Sequence, residues 1–324
     1  MRLRDLGMIV VITSLPWLCG CQKAAQSPPA TAPTPPRAAS PAPAAWPMTL
    51  RDAQNEEVTL ASPPQRIVSL SPAITEILFA VGAGDRVVGV TSYCDHPPEA
   101  RRLPKVGSYT GLSVEKAVAL RPDVVIGMRG NAPDALKALR RAGLKVVAYD
   151  PVTVAGVLDL MDEIGHMMQE TPGRVQAVGR LRARVDAVRA KAAGLARRPR
   201  VLVAVQLEPL YAAGPGTHLD DMIRLSGGGN IAGDATIPWP QYSLERMLQK
   251  DPEVIVCPSG HINGEEMTSA KILADLRRSR AWSGTAAVKR GNVLAVDDDL
   301  LTLPGPRIVD GLERMAAAIR RAAS

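Results

Sequence analysis

Aromatic residues make up only 3% of this 324-residue chain, and it contains a single Phe. The position of each ring therefore carries more information than usual. Cysteine is also scarce. Four are present, two of them (Cys19 and Cys21) close to the N-terminus, leaving Cys94 and Cys257 to form either one disulfide or two free buried thiols. The longest apolar stretch near the start, Gly7 to Leu18, is about a dozen residues, short of the roughly 20 a bilayer-crossing helix needs. There is no Gly-x-Ser-x-Gly, His-Glu-x-x-His or Walker phosphate loop. Gly227-Gly-Gly-Asn230 follows a helical stretch and reads as its stop, and Asp220-Asp221 after Thr217 reads as a helix start. No carboxylate pair accompanies a nucleophile, so the pattern excludes an enzyme.

What the N-terminus does contain is an export pattern. Arg2 and Arg4 precede the short apolar run, as in a signal peptide. The run ends Leu18-Cys19-Gly20-Cys21, which resembles the lipobox of bacterial lipoproteins and implies lipidation of Cys21 as the first mature residue. Gln22 to Pro47 is nearly all Ala, Pro, Ser and Thr, with little to bury, and reads as an extended tether. Residues 1–20 are thus a lipoprotein signal peptide and 21–47 a tether. The net charge of +7 comes from scattered residues such as Arg180, Arg182, Arg184, Arg189, Arg197 and Arg198, the pattern of a solvated helix face. With export, this argues against nucleic acid.

The rest of the chain repeats itself. Ser113-Val-Glu-Lys-Ala-Val-Ala-Leu-Arg-Pro122-Asp-Val-Val-Ile126 matches Ser243-Leu-Glu-Arg-Met-Leu-Gln-Lys-Asp-Pro252-Glu-Val-Ile-Val256 without a gap. Each copy reads as a Ser-capped helix with Glu in its first turn, stopped by Pro and followed by a buried parallel strand. Arg66-Ile-Val-Ser-Leu and Arg200-Val-Leu-Val-Ala pair as first strands, Lys145 to Asp150 and Asn292 to Asp297 as last ones. The fold class is α/β: two similar lobes with mainly parallel sheets, residues 48–168 and 199–324, joined by one long helix over 171–198. That helix shows an apolar stripe through Val175, Val178, Leu181, Val185, Val188 and Ala192 over roughly 24 residues, about 36 Å. A ligand cleft follows between the lobes, outside the carboxyl ends of the strands.

Four of the scarce aromatics fall in Pro- or Gly-rich loops at strand ends: Tyr93, Tyr109, Tyr211 and Trp239. Flat rings around a cleft suit a large flat ligand. Arg307 either anchors that ligand or caps a helix.

Together, Ser69-Leu-Ser-Pro-Ala-Ile-Thr-Glu76, Ser92-Tyr-Cys-Asp-His-Pro-Pro-Glu-Ala100, Arg129-Gly-Asn131, Pro238-Trp-Pro-Gln241 and Pro306-Arg307-Ile308 resemble the bacterial periplasmic cobalamin-binding proteins, within the single-connecting-helix substrate-binding proteins that also bind haem and iron siderophores. The resemblance implies a monomer that captures cobalamin or a related corrinoid as transported ligand, with no resident cofactor or metal. It would deliver that ligand to an ABC permease dimer with its ATPase subunits, in the periplasm or at the cell surface; haem or an iron siderophore is the alternative. It implies that Pro72, Ala73, Tyr93, Tyr109 and Trp239 line the ligand site, with Tyr211, Asp299 and Arg307 at further ligand positions. Met128 and Leu207 stand where the family's cobalamin binder has aromatics. It also implies that Glu115 and Glu245 dock on the permease, as equivalent residues on two similar lobes suit a two-fold partner. Cys94 with His96 and Cys257 with His261 follow strands, one pair per lobe, with donors zinc accepts, but at no recognised metal spacing.

Overall fold

Short β-branched runs bounded by Pro and Gly give strands, and the stretches between them give helices. The computed structural model describes residues 45–108, 111–169, 174–262 and 265–324. The N-terminal lobe runs β1 (Met48–Arg51), β2 (Glu57–Leu60), β3 (Ile67–Ser69), α1 (Pro72–Ala80), β4 (Val87–Val90), α2 (Val114–Ala119), β5 (Val124–Met128), α3 (Pro133–Arg141), β6 (Val146–Tyr149) and α4 (Val154–Met167). The connector is α5 (Arg174–Ala193). The C-terminal lobe runs β7 (Arg200–Leu207), β8 (Leu210–Ala212), α6 (His218–Leu225), β9 (Gly229–Asn230), α7 (Leu244–Lys250), β10 (Val254–Pro258), β11 (His261–Ile262), β12 (Glu265–Glu266), α8 (Ser269–Arg278), α9 (Ala286–Arg290), β13 (Val293–Val296), α10 (Asp298–Thr302) and α11 (Ile308–Ala323). No helix among the described residues is long and apolar enough to cross a membrane.

The two sheets share one topology. Strands β4-β3-β5-β6 are all parallel, as are β9-β7-β10-β13. In each lobe the first strand lies inside, flanked by the second and third. The C-terminal lobe adds β8, antiparallel to β7. The N-terminal lobe adds the β1–β2 hairpin, which the sequence did not announce. Buried Asp52 ties that hairpin to Arg140 at 2.6 Å.

The repeated segment folds alike in both lobes. Ser113 Oγ accepts from Lys116 N, and Ser243 Oγ from Arg246 N. Arg121 and Asp251, each before a Pro that stops the helix, adopt left-handed φ of 45° and 44°. A guanidinium covers the exposed carbonyls at that strained end. Arg66 Nε donates to Leu120 O and Arg121 O at 3.2 and 3.1 Å, and Arg200 Nε to Lys250 O and Asp251 O at 2.8 and 2.9 Å. These cations satisfy the helix C-terminus and oppose its dipole.

The connector follows most of its expected apolar stripe. Val178, Val185 and Val188 are buried, but Val175 is exposed. Arg180, Arg189 and Arg198 are exposed, as the solvated-face reading expects, whereas Arg182 and Arg184 act as clips. Arg182 pairs with Asp159 and Asp162 of α4, both at 2.8 Å. Arg184 pairs with Asp310 and Glu313 of α11. Such half-exposed pairs contribute about 0–1 kcal/mol each, so they orient the helix more than they stabilise it. One core cluster runs continuously from β3 through α4 and α5 to α11, so the lobes share a core beneath the cleft.

Candidate ligand-binding site

The strand-to-helix turn after β3 builds the N-terminal wall. Thr75 Oγ1 donates to Ser69 Oγ at 2.8 Å, and Ser69 Oγ donates to Ser71 O at 3.1 Å, all buried. This network fixes the turn that presents Pro72 at the first position of α1. After β5, buried Asn131 accepts from Met128 N at 2.8 Å and donates to Leu70 O at 2.9 Å, bracing the Met128–Arg129 turn. Across the mouth, Asp297 caps α10 through Asp299 N. These loops enclose an open cavity of about 590 Å³. Its lining includes Pro72, Tyr93, Met128, Arg129, Asp150 and Asp299. That volume lies in the range of small-molecule sites, and it opens where the strands end.

The structure thus brings Pro72, Tyr93 and Asp299 together. Tyr93 is 62% exposed, with its ring free. Ala73 departs from the expectation: it has no exposed surface and lies against Gly305, because the first turn of α1 points its Cβ into the core. Arg307 departs in role. Its guanidinium grips buried Glu76 of α1 with two hydrogen bonds, 3.0 and 2.5 Å, and reaches Asp299 at 3.0 Å. It is a bridge between lobes, lining a neighbouring cavity of about 570 Å³ with Phe79 and His96. Those carboxylates hold its pKa above the ordinary arginine value.

Trp239 is 44% exposed and does not line the main cavity. Its loop is held to β8 by Gly214 N donating to Pro238 O at 2.8 Å and Ala212 N to Pro240 O at 3.1 Å. A Cβ at Gly214 would sit 2.6 Å from Ile237 O, so only glycine permits that approach. The Trp239 ring meets His218 edge-on, centroids 6.2 Å apart. Buried His218 engages Leu301 O through Nε2 at 3.0 Å, so Trp239 is coupled to α10, which carries Asp299. Burial lowers the His218 pKa. Tyr211, on β8, is half-buried and bridges to Gln241. Leu207 is half-buried and packs on the outer core of its lobe.

Tyr109 and Cys21, with the signal peptide and most of the tether, lie outside the described residues. Glu115 and Glu245 are both exposed, in the first turns of α2 and α7. The Glu115 pKa is lowered by its own backbone N–H and by the Ser113 hydroxyl. Cys94 and Cys257 are free and buried, which resolves the choice left open by their number. Burial pushes the Cys257 thiol up to about 12, so it is a poor source of thiolate. Among the described residues, no group of three or more His, Cys, Asp or Glu is placed to hold a metal. Arg129, Asp95 and Asp150 went unpredicted as site residues. Their position at the ends of β4, β5 and β6 was the available signal.

A model of the family described as periplasmic binding protein matches residues 67–300, and the chain belongs to that family. The chain is 32% identical over 281 residues to an uncharacterised ABC transporter substrate-binding lipoprotein, YvrC, of Bacillus subtilis, covering 85% of this chain and 86% of that one. The crystal structure of the periplasmic vitamin B12 binding protein BtuF of Vibrio cholerae aligns with a TM-score of 0.69 at 31% identity, over 80% of this chain and 98% of that one. The periplasmic heme-binding protein RhuT from Roseiflexus sp. RS-1 aligns at 0.65 and 29% identity, over 80% and 99%. The chain is therefore an ABC-type substrate-binding protein, a class of transporter component that binds and delivers rather than catalyses. Such proteins act in the periplasm or outside the cell.

Proposed function

We propose that the protein captures cobalamin or a related corrinoid and delivers it to an ABC permease dimer, held at the membrane by lipid on Cys21. The observation that carries this reading is the pair of exposed rings, Tyr93 on the N-terminal lobe and Trp239 on the C-terminal lobe. The first lines the cavity between the lobes, and the second packs on His218, which is itself hydrogen-bonded to Leu301 of α10. One exposed ring in the cavity and a second exposed ring on the other lobe, outside the lining, suit a planar macrocycle that reaches from the cavity to the Trp239 loop. Haem is the second reading, supported by the similar fold of the heme-binding protein RhuT. No His lines the main cavity among the described residues, and His218 is turned to a backbone carbonyl, so haem iron there would take the Tyr93 phenol as its protein ligand.

Glu115 and Glu245 give the loaded protein its docking points. They occupy equivalent places on the two lobes, on helices with the same Ser cap, which suits a two-fold symmetric permease presenting arginines. The shared core beneath the cleft supports a modest closing motion rather than a wide hinge.

The test is calorimetric titration of the purified full chain with cyanocobalamin. The expected result is tight one-to-one binding. Absence of binding at micromolar protein, with haem bound instead, would transfer the assignment to haem.

A further inference from the structure

We infer that the cavity selects by charge, admitting a neutral, amide-bearing macrocycle and rejecting one that carries free carboxylates. This rests on the macrocycle reading above and narrows its ligand class.

The chain as a whole carries +7, yet its cavity is acidic. Among the described lining residues are three carboxylates, Asp95, Asp150 and Asp299, and one guanidinium, Arg129. Arg129 is already engaged, Nη1 donating to Asp150 Oδ2 at 2.8 Å. The next cation inward, Arg307, is held by Asp299 and by buried Glu76. Four carboxylates thus face two guanidiniums, and both guanidiniums are bound. Lys105 and Arg101 approach the same loop from behind, but they donate to the backbone carbonyls of Cys94, Ala100 and Asp95 and do not line the cavity. Asp297 and Asp298 precede Asp299 in the same helix start, outside the cavity lining. Burial raises the pKa of Asp298, and the charges of Asp299 and Asp297 raise it further, the effect of crowding like charges.

A porphyrin with two free carboxylates would bring two more negative charges into this space and find, among the described lining residues, one cation, Arg129, for which Asp150 already competes. A corrin ring edged with primary amides would instead bring N–H donors to carboxylate oxygens. Like-charge juxtaposition in a partly desolvated site is an effective way to reject a ligand of the right shape.

The experiment uses the purified full chain and visible-absorbance titrations with three probes: cyanocobalamin, haemin, and haemin dimethyl ester. The ester keeps the shape and removes both charges. The expected result is that the wild-type chain binds the ester about tenfold or more tightly than haemin, with the gap narrowing at high salt. Asp95→Asn combined with Asp150→Asn should tighten haemin binding about tenfold and weaken cyanocobalamin binding, opposite signs that a general loss of fold does not produce. The ester comparison on the wild type needs no variant to fold. Equal affinity for haemin and its ester, or haemin bound as tightly as cyanocobalamin, overturns charge selection and leaves the macrocycle site standing. A wild-type chain that binds none of the three overturns both readings.

Discussion

The two lobes carry the same four parallel strands in the same order, but they are braced differently at the base and furnished differently at the mouth. At the base, Asp123 of the N-terminal lobe accepts from the backbone N–H groups of Gln65 and Arg66, at 2.7 and 2.8 Å, and is exposed. Its counterpart, Glu253, is buried, accepts from Arg200 N, and gathers Arg197, Arg200 and Arg290. Arg197 also donates to Ala322 O. The C-terminal base must hold the segment after the connector, the first strand and the last helix together, so the same position carries more. At the mouth, the N-terminal lobe presents Tyr93, Met128, Arg129 and Asp150 directly from the ends of its strands. The C-terminal lobe interposes β8 and uses it to hold the Trp239 loop. What the lobes share makes the fold, and what they do not share makes the site.

The largest expected effect probes the base. Glu253→Ala removes the buried acceptor of the Arg200 N–H and of three half-exposed arginines and should cost about 3 kcal/mol by urea unfolding, whereas Asp123→Ala, losing two hydrogen bonds at the surface, should cost about 1–2 kcal/mol. Equal losses would break the comparison. Arg307→Ala strands Glu76 without a counter-charge and should cost about 3 kcal/mol by the same measurement. Trp239→Ala and Tyr93→Ala should each weaken cobalamin binding by about 2 kcal/mol, roughly thirtyfold, by calorimetry. A much smaller effect at Trp239 would show that one wall suffices.

The smallest effect concerns pH. Burial depresses the folded-state pKa of His218 below its ordinary 6.5. The unfolded chain then takes up a proton that the folded chain refuses, so stability is complete above about pH 6.5 and falls as pH drops below it. The fall ends at the lowered folded pKa. The slope reaches at most about 1.4 kcal/mol per pH unit, and His218→Gln should remove that component from a stability-versus-pH series.

Much of this was legible in the sequence where the cause is local. A Ser cap, a Glu in the first turn, a Pro stop and an apolar run are short-range signals, and their repetition from Ser113 and Ser243 marked both lobes. The arginine clamps at Arg66 and Arg200 were not legible, because the carbonyls they cover lie 54 to 55 and 50 to 51 residues away. Arg307 has the same difficulty over a longer span, its partner Glu76 being 231 residues distant. Ala73 shows the limit of reading a motif as a surface. Within Ser69 to Glu76 most side chains turn inward to build the turn, and Ser71 and Pro72 are the ones that meet the cavity. Asp95 and Asp150 were hidden by their ordinariness, since acids at strand ends acquire meaning only once the loops are assembled.

The central claim, one planar ligand held between the two lobes, is tested most directly by a crystal structure of the full chain with cyanocobalamin. The account predicts the corrin ring in the cavity lined by Pro72 and Tyr93, with Trp239 against its other side and Asp299 accepting from an amide. A ligand seated instead in the neighbouring cavity beside Phe79 and His96 would contradict it.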